Sequence, residues 1–140
     1  MRKSAFAVLA TLLLTAAGAA FAGSSLAISA DVPFAFTVAD TTFQAGKYLV
    51  TPFGQGSSVL MIRSDDGRKG VLVIVRRHLQ SEAEVGNPHL IFNRYGNTYF
   101  LSTVWSGSDT GREIYKSRHE REIALGTQKA AETWIAAQVR

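Results

Sequence analysis

The sequence predicts one mainly β domain: a single antiparallel up-and-down barrel or sandwich of seven to eight short strands, with a C-terminal α-helical segment packed on it. Three observations predict it. Two turn signals, Asp66-Gly67 and Gly96-Asn97, each sit between apolar runs of strand length. Phe34, Phe36 and Val38 alternate with the slimmer Ala35 and Thr37, which is the two-residue period of a strand. After Gly111 the β pattern stops, and Ser117-Arg118-His119-Glu120 forms a capping box at the start of a helix.

Taken in order, residues 23–30 are small and polar and become a strand near Leu26. Pro33 opens the Phe34 to Val38 strand, where no ladder donor is missed. Asp40-Thr41 turns the chain back, and a second turn ending at Gly46 leads into a strand over Lys47 to Thr51. Pro52 and the glycines at 54 and 56 end that strand in a hairpin loop, which lacks the lysine and following helix of a phosphate loop. Around Asp66-Gly67, read as a type I′ turn, Ile62 pairs with Val71, Met61 with Leu72, Leu60 with Val73 and Val59 with Ile74. Apolar pairs fall on both faces, so a second sheet or a helix is expected to cover the outer one. Arg76-Arg77-His78 closes this hairpin. Residues 79–88 form the longest irregular connection, where Glu82 and Glu84 are expected to pair with Arg76 and Arg77 at the rim; this is the first choice for a binding loop.

The run His89 to Trp105 is the hairpin around which the domain is built. With Gly96-Asn97 as a type II′ turn, Tyr95 faces Thr98, Arg94 faces Tyr99, Phe92 faces Leu101 and Leu90 faces Thr103. Leu90, Phe92, Leu101 and Tyr99 then share the core face, with Arg94 across Tyr99 as a cation–π pair, and Ile91, Asn93, Phe100 and Ser102 share the other. The helical segment is expected from about residue 112, with its cap at Ser117. Ile123, Thr127, Ala130, Ala131, Trp134 and Ile135 trace a stripe that docks on the sheet, broken or kinked at Gly126.

The amino terminus is a targeting signal. Arg2 and Lys3 form a basic region, Phe6 to Leu14 an apolar one, and Ala20-Phe21-Ala22 a cleavage site, so residues 1–22 are a signal peptide and 23–140 one domain. An uncleaved anchor is the rival reading, since residues 5–22 are long enough to cross a bilayer. The chain contains no cysteine, which excludes a lipid-anchored cysteine, disulfides, thiolate nucleophiles and thiolate-bound metal. Two of the fifteen basic side chains leave with the signal, and thirteen then face eleven acidic ones. That balance argues against nucleic acid as a partner.

Four segments carry a further resemblance: VPFAFTVADTTFQAGKY from Val32, VLMIRSDDGR from Val59, LIFNRYGNTYFLSTVW from Leu90 and TGREIYKSRHERE from Thr110. In this order they resemble a family of small, signal-peptide-bearing exported bacterial β-rich proteins of uncharacterised function. The resemblance covers most of the mature chain and implies one domain, export and a β-rich fold; it transfers no catalytic or binding residue. Ala39 and Gln44 stand where the pattern has glycine and proline, so two turns form with less rigidity. The chain beyond Leu125 is longer than the family's usual ending, which makes Trp134 a feature of this protein.

Few groups converge for chemistry. Asp109-Thr110-Gly111 matches the D-T-G of aspartic proteases, but Ser108 precedes it and Arg112 follows, so a turn is the plainer reading. His78, His89 and His119 lack the spacing of a zinc helix, and no serine sits in a nucleophile elbow. No catalytic residue, metal site or cofactor is predicted. Tyr95, Trp105, Arg94 and His78 are the candidates for contact with a ligand or partner, with carbohydrate stacking on Trp105 or Tyr95 one form of it. The expected function is a non-enzymatic binding or structural module, periplasmic or extracellular, with no stable membrane insertion after cleavage and an unknown protein or small molecule as partner. The alternatives are a barrel that carries an apolar ligand and a hydrolase that pairs Asp109 across a dimer.

Overall fold

The computed structural model describes residues 27–54, 56, 58–80, 86–107, 110–126 and 130–140. Ten strands and one helix follow in order. They are β1 (Ile28–Val32), β2 (Phe36–Val38), β3 (Thr41–Phe43), β4 (Gly46–Pro52), β5 (Val59–Ser64), β6 (Gly70–Gln80), β7 (His89–Tyr95), β8 (Thr98–Trp105), β9 (Thr110–Ile114), α1 (Arg118–Ala124) and β10 (Ala131–Val139). Eight of the strands close an antiparallel barrel in the order β1, β4, β5, β6, β9, β8, β7, β10 and back to β1. Closure leaves none of the eight with a free edge.

The barrel is not a simple up-and-down one. Its first four places follow the chain, but the connection after β6 skips two places to β7, and β8 and β9 then fill them in reverse. The remaining pair, β2 and β3, forms a side hairpin tied to β8 by one parallel pairing, Thr37 with Phe100. Its rings reach the core. Phe36 stacks on Phe43 at 5.3 Å and meets Tyr48 and Phe92 edge-on at 5.0 and 5.3 Å. Phe34 and Tyr99 extend the cluster, stacked at 3.8 Å. The hairpin turns at Ala39-Asp40, one residue earlier than the expected Asp40-Thr41, with φ of 47° and 63°. Pro33 follows β1, so the alternation from Phe34 becomes paired strand only at Phe36.

Local pairing matches the sequence reading closely. Between β5 and β6 all four expected pairs form. The loop differs from a type I′ turn: a bond from the Gly67 amide to the Ser64 carbonyl closes a turn centred on Asp65-Asp66, and only Gly67 has positive φ. Asp66 ties this loop together by accepting from the Ser64 hydroxyl and the Arg68 amide, which holds its carboxyl below the usual range. Between β7 and β8 the pairs next to the turn also form, and Gly96 has the left-handed φ of 62°. Past Phe92 a bulge at Ser102 shifts the register, so Leu90 faces Val104 rather than Thr103.

Two expectations are corrected, on the outer cover of the β5–β6 hairpin and on the helical segment, and a third, on Glu82 and Glu84, falls outside the described residues. The outer face of the β5–β6 hairpin has no covering layer among the described residues: Leu72 and Ile74 are 45% and 63% exposed, while Leu60, Ile62 and Val73 are buried inside. Arg76 and Arg77 pair with Glu113 of the adjacent β9, and Glu82 and Glu84 lie outside the described residues. The helical segment is also much shorter than expected. Residues 110–114 are strand β9, the helix has seven residues, and Ala131 to Val139 is strand β10, with Thr133, Ile135 and Ala137 facing in. The stripe through Ala131, Trp134 and Ile135 is therefore not a helical face. A gap between β7 and β1 is filled by β10, and a strand is the only element that satisfies both edges.

The helix packs on the outside of the β7–β8 wall. Ser117 caps it as read, accepting from the Glu120 amide at 3.1 Å. The Glu120 carboxylate does not reach back to the cap. It is 2% exposed and accepts from Asn93 Nδ2 at 2.9 Å and from the Tyr95 hydroxyl at 3.2 Å. This cover explains why Ile91, Tyr95 and Phe100, on the wall's outer face, are buried as well.

Candidate functional site

Trp105 ends β8 on the outer wall. Across the ladder on one side it faces Gly111 of β9, and on the other His89 of β7. A methyl group at Gly111 would lie 2.6 to 2.8 Å from the indole, so this glycine gives the ring its seat. The His89 ring stacks on Trp105 at 5.9 Å and 15°, and on Trp134 of β10 at 4.8 Å and 13°. Three parallel rings from three neighbouring strands thus form a row across the barrel wall. Stacking of this kind is worth about 0.5 to 1.5 kcal/mol per pair beyond the area buried.

The row is anchored at its middle ring and open at the Trp134 end. His89 Nδ1 lies 2.8 Å from the Asn87 carbonyl oxygen, which only accepts, so Nδ1 donates. The Asn87-Pro88 segment is itself held by the bond from the Ala137 amide to the Pro88 carbonyl and by the close approach of Gly107 to Pro88. Trp134 is 62% exposed, with His89 against one ring face and its Nε1 3.5 Å from Glu132 Oε2. The pairing of β1 with β10 ends at Ala30 and Ala137, short of Trp134, and among the described residues His89 is the ring stacked on the indole.

The residues singled out from the sequence do not form one site. Trp105 belongs to the row. Tyr95 and Arg94 are at the opposite end of β7. Tyr95 is buried beneath α1 with its ring edge-on to Phe100 and offers no face to a ligand. Burial, then the charge of Glu120 and the hydrogen bond to it, push the Tyr95 phenol up to about 12. Arg94 lies over Tyr99 at 5.5 Å, as read, and donates to the Gly96 carbonyl. His78 pairs with Arg112 near the Trp105 end. The parity of Arg112 with Ile114 and its pairing with Val104 turn both His78 and Arg112 to the inner side of the wall, opposite the row. Burial lowers the Arg112 guanidinium from its ordinary value, and its Nε has no hydrogen-bond partner among the described residues.

Asp109 and residues 81–85 of the 79–88 connection lie outside the described residues, while Leu79 and Gln80, expected to be irregular, continue strand β6. Gly111 is in a strand under Trp105, not in a loop of the protease type. Among the described residues no three histidine, aspartate or glutamate side chains gather as metal ligands. Sequence reasoning missed Trp134 and His89 as partners of Trp105. The signal was the alternation of Thr133, Ile135 and Ala137, which places Trp134 on the opposite, outward face. Comparisons with protein-family models, with curated proteins and with solved structures find no match for this chain.

Proposed function

We propose that this chain is an exported, non-enzymatic binding module that holds a glycan against the open face of Trp134, with His89 and Trp105 stacked behind it as a rigid support. The observation that carries the reading is the exposed end ring of a three-ring row on the outside of a barrel whose interior is occupied by an aromatic cluster. A large indole kept on the surface forgoes the stabilisation of burial, and ring stacking restrains it at little further entropic cost. The C–H face of a sugar ring fits such a flat apolar surface, and the Glu132 carboxylate beside the indole supplies an acceptor for its hydroxyls.

Export rests on the amino-terminal pattern and on the family resemblance, with the mature chain beginning at Gly23. The distribution of polarity agrees with a water-surrounded barrel. The apolar core points inward, and Lys47, Arg76, Glu113 and Glu132 share the outer face with the exposed Leu72, Ile74 and Trp134, a mixed surface and not the continuous apolar band of a barrel that faces lipid. Among the described residues no helix is long and apolar enough to cross a membrane.

Both tryptophans of the chain are in the row, so tryptophan emission, excited where the four tyrosines do not absorb, reports on this site alone. Titration of the mature protein with cellotetraose and with tetra-N-acetylchitotetraose is expected to give a saturable shift of the emission with at least one of them, lost in Trp134→Ala. Unchanged emission with both, or a shift that survives Trp134→Ala, overturns the reading.

A further inference from the structure

A second concave site lies at the far end of the β7–β8 hairpin from the aromatic row. The tip of the β2–β3 hairpin, the Gly96-Asn97 turn and the first turn of α1 enclose a groove of about 500 Å3, within the range of small-molecule sites. Phe36 and Tyr99 line it with apolar surface, and Asp40, Asn97, Thr98 and His119 line it with polar groups. The buried Glu120 fixes α1 to Asn93 and Tyr95, and so sets the position of His119 at the groove.

Two observations distinguish this groove from an ordinary surface crease. First, polar side chains from three separate elements converge on it, and among the described residues the Asp40 carboxylate and the Asn97 amide show no ion pair or hydrogen bond within the chain. Second, Asp40 and its neighbour Ala39 both hold left-handed φ, 63° and 47°, in a turn where glycine is the residue without steric cost. These are the angles of a two-residue hairpin turn, in which aspartate is accepted, and the turn fixes where the Asp40 side chain starts. Here it brings Asp40 to the rim of the groove.

The chemistry of the lining selects the ligand. The lining itself carries one carboxylate and one imidazole, and the two cations at its margin are engaged, Lys69 by the Thr42 carbonyl and Arg94 by the Tyr99 ring and the Gly96 carbonyl, so no strong field of either sign favours an ion. The polar set mixes pure acceptors, at Asp40, with groups that both donate and accept, at Asn97, Thr98 and His119. Hydroxyl groups, which also do both, match that set, and the apolar surface of Phe36 and Tyr99 matches the carbon face of a ring. We propose that this groove binds a hexose-sized polyhydroxylated ligand, with Asp40 accepting from two adjacent hydroxyls and Asn97 and His119 meeting the opposite edge. The proposal is independent of the aromatic row.

The test is an NMR titration of the mature, isotope-labelled protein with D-glucose, D-galactose and N-acetyl-D-glucosamine. At least one sugar is expected to give saturable amide shifts confined to 36–42, 96–99 and 118–120. Asp40→Asn is the decisive variant, because asparagine accepts the left-handed conformation and keeps the turn while the charged acceptor is removed. It is expected to weaken that binding about tenfold, the usual loss for hydrogen bonds to a charged group. Absence of saturable shifts at these residues with all three sugars overturns the proposal. So does undiminished binding by Asp40→Asn. Shifts confined to Trp134, His89 and Trp105 also overturn it, while supporting the row as the only saccharide surface.

Discussion

At the scale of single residues, two positions show how backbone and ring geometry depend on one Cβ. Ala39 sits at φ 47° where the resembling family's pattern has glycine. An L-residue there costs about 1 to 2 kcal/mol, partly offset by the greater unfolded-state freedom of glycine. Ala39→Gly is therefore expected to stabilise the fold by up to about 1 kcal/mol, read as a higher urea midpoint with an unchanged slope. Gly111 is the opposite case. A Cβ there would meet the Trp105 indole at 2.6 to 2.8 Å, against the ring system itself and not a flexible chain end. Gly111→Ala is expected to cost about 1 to 3 kcal/mol, as overpacking does, and to disturb the emission of both tryptophans by displacing Trp105, the end ring on which His89 stacks. The departure at Ala39 was legible from the sequence. The role of Gly111 was not, because nothing local links a glycine on one strand to an indole on the next.

At the scale of elements, α1 is too short to be stable alone and is held by its docking. Its contribution lies in Glu120, which satisfies two buried donors on the barrel wall. Glu120→Ala leaves Asn93 and Tyr95 without that partner, and a loss of about 2 to 3 kcal/mol is expected. Hydrogen exchange is the direct measurement: amides of 121–125 lose protection while those of the barrel strands keep theirs. The same contact predicts an alkaline weakness. The Tyr95 phenol is raised from 10.0 to about 12 in the fold, first by burial and then by Glu120. A group with a raised folded value stabilises fully below its unfolded value, so this contribution is intact below about pH 10 and is lost as pH rises through about 12. Urea midpoints measured between pH 9 and 12 are expected to fall for the natural chain more steeply than for Tyr95→Phe, which has no phenol to ionise. Parallel curves for the two proteins would rule out Tyr95 as the source.

At the scale of the whole molecule, β10 is the strand that closes the barrel, paired with β7 on one side and β1 on the other. Ending the chain at Leu125 removes it, bares two edges and uncovers the core beside Leu90 and Ile28. The expected outcome is loss of cooperative thermal unfolding in circular dichroism together with aggregation of the open sheet. A cooperative transition retained by the shortened chain would show that the other seven strands close without it. β10 also carries Trp134, so closure of the barrel and assembly of the aromatic row are one event. The row exists only when the last strand has docked.

The sequence by itself determined the strand-rich class, the register of the β5–β6 hairpin and that of the β7–β8 hairpin as far as Phe92, the pairing of Arg94 with Tyr99 and the Ser117 cap. Each of these depends on residues within about ten positions, through turn chemistry and two-residue alternation, and both act before the chain has a tertiary fold. Only the tertiary structure decided the reversed placement of β7, β8 and β9, the exposure of Leu72 and Ile74, and the conversion of 131–139 from a predicted helical face to a strand. Short apolar runs satisfy both periods, and the tie is broken by distant partners whose unpaired backbone groups need a strand. For the same reason Trp105 was legible as a candidate while His89 and Trp134 were not. Their stacking is a property of strand order, which no local pattern encodes.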